Sequence, residues 1–285
     1  MDASFLPESF LDEMKKLLGD SYRDYLDSFQ KQPRLGLRAN GLKLSGEELK
    51  SLLPWDLSPV AWAPLGYYYP GDVRPALHPA YSAGLFYLQE PSAMAPGAVL
   101  PVAPGLRVLD LCAAPGGKST QLAARLKGRG VLVSNDISPS RAKGLLKNLE
   151  LAGAFNICVT AEAPGKLASL WEGWFDRILV DAPCSGEGMF RREPDMVKDW
   201  QAKGPSYYAS IQREILFEAA KMLRPGGQLL YSTCTFSPEE DEGTVMDLLS
   251  RVPEMKLLPL KEEAVPGSRE SQILPGVLRL FPHLL

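Results

Sequence analysis

The sequence has few of the residues that build disulfide frameworks and metal sites. Its 285 residues include four cysteines and two histidines, and no two cysteines form a CxxC pair. We therefore expect free thiols, a reducing cytoplasmic setting and no bound metal. No run of about 18 apolar residues occurs, which predicts that the chain does not span a membrane.

The chain also lacks a strong excess of charge of one sign. It has 31 Lys and Arg against 34 Asp and Glu, a formal net charge of −3. This balance does not exclude a nucleic-acid binder, because binding depends on where the charges lie. A basic cluster is one candidate contact surface, with a solvated face as the alternative. The cluster consists of Lys31, Arg34, Arg38 and Lys43.

Residues 1–72 differ from the rest and predict a small N-terminal α+β domain. Apolar residues recur at helical spacing over 10–18, and Gly19 follows as a helix end. A second short helix is predicted over 22–29. Proline and glycine become frequent from Pro64 to Pro79, so we place the boundary there and assign 73–285 to the larger domain.

Strands and helices alternate from residue 107 onward. The pattern predicts strands at 107–111, 131–133, 175–180 and 228–232, and helices at 118–127, 138–153, 207–223 and from Ser237. Such alternation is typical of a doubly wound, mostly parallel sheet with helices on both faces. Ligands bind such sheets at the carboxyl ends of the strands. We therefore expect four polar residues to converge on one cleft: Cys112, Asp136, Asp181 and Cys234.

A glycine-bearing turn, DLCAAPGGK, follows the first of these strands at Asp110–Lys118. Gly116 and Gly117 would let a ligand approach the backbone closely. Asp136 ends the next strand about 20 residues later, where an acid can meet ribose hydroxyls. The turn is neither GxGxxG nor a Walker loop, which argues against NAD and against a P-loop. The pattern predicts a nucleoside cofactor, with a purely structural turn as the alternative.

Two cysteines follow strand ends beside polar residues. Cys184 lies in DAPCSGEG, beginning at Asp181, and Cys234 lies in STCTFSPE, beginning at Ser232. A thiolate can be stabilised in such surroundings, so we expect both thiols to be functional. Cys158 has apolar neighbours and is expected to be an inert core thiol.

These segments, with Cys112–Lys118, resemble the Sun-type family of RNA cytosine carbon-5 methyltransferases. The resemblance is greatest to the bacterial RsmF-like branch, which acts on small-subunit ribosomal RNA. It covers about residues 34–285, and the block at 181–191 is highly specific. It implies a Rossmann-like, S-adenosylmethionine-dependent methyltransferase fold and methylation of a cytosine in RNA. We expect the substrate to be 16S ribosomal RNA, free or in the assembled subunit, and the protein to be a monomer.

The resemblance also implies roles for individual residues. Cys234 is the nucleophile, Cys184 is the thiol needed to release product, and Asp181 stabilises charge on the base. Lys118 is a weaker catalytic candidate. The implied cofactor-binding residues are Cys112, Ala113, Ala114, Pro115, Gly116, Gly117, Lys118, Asp136, Arg141 and Asp181. The candidates for RNA contact are Arg38, Asn40, Arg191 and Arg192.

The chemistry explains why a thiol is needed. Carbon 5 of cytosine is a poor nucleophile, but a thiolate that adds to carbon 6 turns the ring into an enamine. Carbon 5 can then accept a methyl group from a sulfonium, so that one hard step becomes two easier ones. We therefore expect the site to favour the thiolate form of Cys234.

The sequence departs from the family's pattern at two places. Glu162 lies slightly out of register with the aspartate that often meets the adenine. Leu278–Leu285 resembles the penultimate strand of the family's sheet, so we expect the chain to lack the family's C-terminal continuation and to leave a sheet edge unpaired.

Two alternative functions remain open from the residues. A DNA cytosine methyltransferase uses the same addition chemistry from a Pro-Cys segment, but the second motif around Cys234 argues against it. A cofactor-binding ribosome-assembly factor without turnover is the other alternative. Retention of Cys184, Cys234 and Asp181 argues against that factor.

Overall fold

A computed structural model describes residues 3–285, so Met1 and Asp2, which belong to the predicted N-terminal domain, lie outside the described residues. The strands are β1 (Gly36–Ala39), β2 (Ser58–Pro59), β3 (Gly66–Tyr68), β4 (Phe86–Leu88), β5 (Arg107–Asp110), β6 (Val131–Asn135), β7 (Ile157–Thr160), β8 (Phe175–Asp181), β9 (Leu223–Ser232), β10 (Arg269–Glu270) and β11 (Leu278–Arg279). The α-helices are α1 (Glu8–Leu18), α2 (Tyr22–Ser28), α3 (Gly46–Leu52), α4 (Pro79–Ser82), α5 (Ala95–Val99), α6 (Gly117–Leu126), α7 (Pro139–Ala152), α8 (Pro164–Leu170), α9 (Met196–Met222) and α10 (Glu242–Arg251). Within 3–285, no helix is long and apolar enough to cross a membrane.

The chain divides into two compact units, each made of separate stretches of sequence. The sheet unit contains Arg34–Asp181 and Phe217–Ser232. The thiol unit contains the residues up to Pro33, together with Ala182–Leu216 and Thr233–Leu285.

A five-stranded parallel sheet forms the centre of the sheet unit. Its strand order is β7-β6-β5-β8-β9, and each neighbouring pair is parallel. In chain order of these five strands the arrangement is 3-2-1-4-5, the order found in Rossmann-like sheets. The predicted Rossmann-like fold is therefore confirmed. The alternation of strands and helices is consistent with this strand order, because each crossover places the next parallel strand beside a strand that is already in the sheet.

Helices α6 and α7 pack on this sheet through leucines. Leu122, Leu145 and Leu149 are fully buried in one cluster with Val108 and Leu132. Burying one such side chain contributes roughly 1.5–3 kcal/mol, so the cluster holds the helix that follows the glycine turn firmly in place. The predicted bounds of α7 are confirmed, because it begins at Pro139 and ends before a left-handed glycine at 153.

A second, antiparallel sheet in the same unit has the order β2-β3-β1-β4. Its central strand β1 pairs with β3 on one side and β4 on the other. This sheet therefore continues to Leu88, beyond the predicted boundary at residues 72 and 73. The division into an N-terminal domain at 1–72 and a larger domain at 73–285 stays a prediction.

The thiol unit has a core rich in aromatic side chains. Phe10 on α1 contacts Phe190 and Trp200 edge-on, with ring centroids 5.1 and 6.0 Å away. Tyr25 on α2 packs against Phe236 at 5.9 Å. The two predicted N-terminal helices are confirmed, and both bury their apolar faces in this aromatic core.

Three predicted elements differ from the structure. Helix α9 begins at Met196 and bends at Gly204, which has a φ of 71°, so the predicted helix at 207–223 is its second part. Helix α10 begins at Glu242 rather than at Ser237, because a turn precedes it. Leu278 and Arg279 form β11, which pairs with β10 and not with the five-stranded sheet. The placement of Leu278–Leu285 as a strand of the main sheet is therefore wrong; Arg279 is instead buried against Glu242 and the carbonyl of Phe236.

Candidate active site

The glycine turn after β5 is held from one side by α7. Gly116 has a φ of 112°, a left-handed conformation that glycine adopts without strain. Asn148 donates from Nδ2 to the carbonyl of Pro115 at 2.7 Å, and Arg141 donates from Nη2 to the carbonyl of Ala114 at 3.1 Å. The turn is thus a fixed backbone surface rather than a loose loop.

Asp136 presents a carboxylate beside this turn. Its Oδ1 accepts a hydrogen bond from the Ser138 N–H at 3.0 Å, and its Oδ2 lies 3.2 Å from Nη2 of Arg141. The Asp136 side chain is only 4% exposed, whereas that of Arg141 is 60% exposed. A buried acid therefore lies beside an exposed cation.

Asp181, at the end of β8, is bonded on both carboxylate oxygens. Lys118 Nζ lies 2.6 Å from Oδ2, and the Ser232 hydroxyl donates to Oδ1 at 2.7 Å. These two partners fix the orientation of the carboxylate.

Asp110 is a buried acid that sequence reasoning did not assign. It ends β5, and Ser119 donates to its Oδ2 at 2.6 Å. Burial raises its pKa to about 7. Burial also raises the pKa of the Cys112 thiol, which the charges of Asp110, Asp181 and Asp136 raise further. Cys112, Asp136 and Asp181 therefore converge as predicted, and Cys112 is a neutral thiol there; the convergence of Cys234 with them stays a prediction.

In the thiol unit the two motif cysteines form a pair. The Sγ atoms of Cys184 and Cys234 lie 3.1 Å apart, and the Cys234 N–H donates to the Cys184 sulfur at 3.3 Å. The hydrogen bond to the Cys234 thiol and burial raise the pKa of Cys184 well above its ordinary value. Cys184 therefore stays protonated and can donate a proton, while Cys234 is the exposed member of the pair.

Residues from other parts of the thiol unit support this pair, and the sequence did not reveal them. Gln212 lies in α9, and Glu240 lies in the turn before α10, where the pattern suggested a helix-terminal acid. Both side chains are fully buried. Glu240 Oε2 accepts from the Ser185 N–H at 2.9 Å and from Gln212 Nε2 at 2.8 Å. The only sequence signal was the polarity of Ser237–Glu240.

Arg38 is not available to RNA, so its predicted contact is wrong. It is 3% exposed, and it lies in the central strand of the antiparallel sheet. Its guanidinium donates to Gln89 Oε1 at 3.0 Å, to the carbonyl of Gly117 at 2.7 Å and to Thr120 Oγ1 at 2.7 Å. Burial lowers its pKa to about 10. Arg38 therefore holds the glycine turn and the start of α6.

Asn40 is also buried, and its predicted RNA contact is wrong for the same reason. Its Nδ2 donates to the carbonyls of Gly84 and Ala152 at 2.7 and 2.8 Å. Lys43 is exposed, but it donates to two carbonyls of its own unit. Two members of the basic cluster, Arg38 and Lys43, therefore stabilise the fold through their hydrogen bonds. Lys31 is exposed.

The other candidates are placed as follows. Arg191 donates from Nη1 to the carbonyl of Ser28 at 3.1 Å, and both Arg191 and Arg192 are half-buried. Their contact with RNA stays a prediction. Glu162 pairs with Lys166 at 2.7 Å. Cys158 is exposed, so its interpretation as a core thiol is wrong; it lies on β7, at the edge of the sheet, where apolar neighbours in sequence do not ensure burial.

Comparison with known proteins gives matches along most of the chain. Residues 98–284 match the family described as 16S rRNA methyltransferase RsmB/F. Residues 6–91 match the N-terminal domain of 16S rRNA methyltransferase RsmF. The ribosomal RNA small subunit methyltransferase F of Citrobacter koseri is 37% identical over 99% of this chain. The chain spans 61% of the length of that relative.

Solved structures agree with the fold. The crystal structure of PH0851 has a TM-score of 0.90 and 30% identity, covering 98% of this chain and 63% of its own. A methyltransferase homolog from Pyrococcus horikoshii has a TM-score of 0.80 and 29% identity, covering 100% of this chain and 92% of its own. The family match covers well over half of the residues and includes the glycine turn, Asp181 and both motif cysteines. This chain therefore belongs to the 16S rRNA methyltransferase RsmB/F family.

Proposed function

We propose that this chain methylates carbon 5 of a cytosine in RNA, with S-adenosylmethionine as the methyl donor. The observation that carries the proposal is the pair formed by Cys184 and Cys234, whose sulfur atoms lie 3.1 Å apart. One thiol of the pair is exposed and the other has a raised pKa. A nucleophile beside a proton donor is what addition to, and release from, a pyrimidine ring requires.

The residues of the sheet unit fit S-adenosylmethionine. Asp136 is a buried carboxylate that can accept hydrogen bonds from ribose hydroxyls once Arg141 moves aside. The charges of Asp136 and Asp181 raise the pKa of Asp110, because like charges repel. A cationic sulfonium would offset this repulsion. When bound, S-adenosylmethionine supplies an electrophilic methyl group. Cys112–Lys118 and Arg141 complete the proposed binding surface.

In this mechanism the protein's residues carry the other steps. The Cys234 sulfur bonds to carbon 6 of the base, and Asp181 accepts a hydrogen bond from the amino group of the cytosine. Lys118 and Ser232 keep the Asp181 carboxylate oriented. After the methyl transfer a base removes the proton from carbon 5, and the electrons of that bond re-form the double bond between carbons 5 and 6. The bond from sulfur to carbon 6 then breaks, and the Cys234 thiolate that leaves takes a proton from the Cys184 thiol.

The proposed substrate is small-subunit ribosomal RNA, free or in the assembled subunit. The similarity to the Citrobacter koseri enzyme supports this choice. We further propose that residues 1–72 contribute RNA contacts, that 73–285 form the catalytic domain, and that the chain acts as a monomer. The free thiols support a cytoplasmic location.

A methyl-transfer assay tests the proposal directly. The protein is incubated with tritiated S-adenosylmethionine and unmodified small-subunit RNA, assembled subunits or duplex DNA, and the labelled base is mapped. We expect 5-methylcytosine in RNA. Label in DNA would favour a DNA methyltransferase. Cofactor binding without label in any substrate would favour a non-catalytic assembly factor.

A further inference from the structure

One buried carboxylate is bonded to the residue that follows each motif cysteine. Ser185 follows Cys184, and its N–H donates to Glu240 Oε2 at 2.9 Å. Thr235 follows Cys234, and its hydroxyl also hydrogen-bonds the Glu240 carboxylate. The Ser185 and Thr235 hydroxyl oxygens lie 2.8 Å from each other. Glu240 therefore joins two segments that are 50 residues apart in sequence.

Gln212 completes this arrangement on the other side of Cys184. Its Nε2 donates to the carbonyl of Pro183 at 2.9 Å and to Glu240 Oε2 at 2.8 Å. Cys184 is therefore flanked by two peptide groups that are both fixed. Neither Glu240 nor Gln212 is bonded to a sulfur atom in these contacts, so both act on the thiols through their neighbours.

Burial of an acid at this place has a physical cost, which the donors offset. Glu240 is fully buried, and burial raises its pKa. The Ser185 N–H and the Gln212 amide donate to its Oε2, and the Ser185 and Thr235 hydroxyls also lower its pKa. A carboxylate oxygen has about two acceptor positions, so Oε2 can accept from both donors. Truncating it would leave those donors buried without a partner.

We propose that Glu240 is a positioning residue that holds the Cys184 and Cys234 sulfur atoms at hydrogen-bonding distance. The effect on turnover rests on the proposed function, whereas the effect on the distance between the two sulfur atoms does not. A displacement of about 1 Å between reacting groups can cost about 100-fold in rate. The Glu240 bonds therefore matter to turnover even though Glu240 does not contact the base.

The first test measures thiol spacing without any methylation. Hydrogen peroxide can oxidise the two thiols to a disulfide, with one peroxide consumed and two waters released for each bond formed. The cross-linked peptide containing Cys184 and Cys234 is quantified by mass spectrometry over time. Because a disulfide requires a narrow range of sulfur and Cβ positions, its rate of formation reports the geometry of the pair.

We expect Glu240→Ala to slow cross-linking by about 10- to 100-fold, and Glu240→Gln to slow it less, because the amide oxygen still accepts from the Ser185 N–H. Glu239→Ala and Glu239→Gln are matched controls. Glu239 is the exposed neighbour in sequence and bonds Ser206 instead. Both controls should cross-link like the unchanged protein. Equal rates in all five proteins would overturn the proposal.

The second test measures turnover. Glu240→Ala should lower kcat by about 10- to 100-fold and leave KM for RNA and for S-adenosylmethionine within about twofold, with Glu240→Gln in between. If Glu240→Ala does not fold, Glu240→Gln carries both tests. Slowed cross-linking in a protein that methylates nothing would remove the proposed function and leave the positioning role. A rise in KM alone with unchanged cross-linking would overturn the positioning role.

Discussion

The sulfur atoms of Cys184 and Cys234 lie 3.1 Å apart, although 50 residues separate them along the chain. Cys234 is exposed and Cys184 is half-buried. The first can meet a substrate, whereas the second can exchange a proton with it. This asymmetry leads to different expectations for the two single variants.

Cys234→Ser should abolish methyl transfer, because a hydroxyl is far less ionised than a thiol and adds poorly to carbon 6. Cys184→Ser should allow addition and slow release, so that a covalent complex of protein and RNA accumulates. Denaturing gels with labelled RNA detect that complex. The double variant is the control and should form none. Trapping by Cys234→Ser instead would mean that the roles of the two thiols are reversed.

Asp136→Ala should weaken the binding of S-adenosylmethionine by about 1.5–3 kcal/mol, because it removes charge-assisted hydrogen bonds to the ribose. Isothermal calorimetry measures the change. Asp195→Ala is the matched control, since Asp195 is paired with Lys198 at the surface, and it should leave the affinity unchanged. An unchanged affinity in Asp136→Ala would place the ribose elsewhere.

Replacing Lys31 by alanine should lower the slope of log affinity for RNA against log salt by roughly one unit, because a phosphate contact is lost. Arg38→Ala should leave this slope unchanged and instead weaken cofactor binding, because Arg38 is bonded to the carbonyl of Gly117. Filter binding over a salt series measures both slopes. A smaller slope in Arg38→Ala would restore Arg38 as an RNA contact.

Asp110→Asn should make the free energy of unfolding depend less on pH. Burial raises the pKa of Asp110 from 3.8 to about 7 in the folded protein. The folded state therefore holds a proton that the unfolded state has lost, and stability falls as pH rises through this window. The change can approach about 1.4 kcal/mol per pH unit.

Urea unfolding of both proteins between about pH 5 and about pH 7 measures this effect, and the variant should gain on the unchanged protein as pH rises. Asparagine keeps an oxygen that can accept from Ser119, so the substitution removes the charge and retains the hydrogen bond. Parallel pH curves would mean that Asp110 is ionised throughout this range.

Local pattern in the sequence predicted four of the five strands of the parallel sheet and marked the segments that hold the candidate residues. Apolar runs that alternate with helical segments specify parallel strands joined by crossovers, and the handedness of the crossovers leaves few ways to arrange the strands. The turn at Asp110–Lys118 and the segments around Cys184 and Cys234 could be recognised because each lies within about ten neighbouring residues. These are short-range properties of the chain.

Only the tertiary structure decided which charges are exposed and what supports the thiols. Arg38 looked like part of a basic surface, yet its partners Gly117 and Thr120 are 79 and 82 residues away. Glu240 looked like a helix-terminal acid, but its donors come from segments 28 and 55 residues distant. Burial and hydrogen-bond partners depend on which distant segments pack together, and a pattern of neighbouring residues carries no information on that.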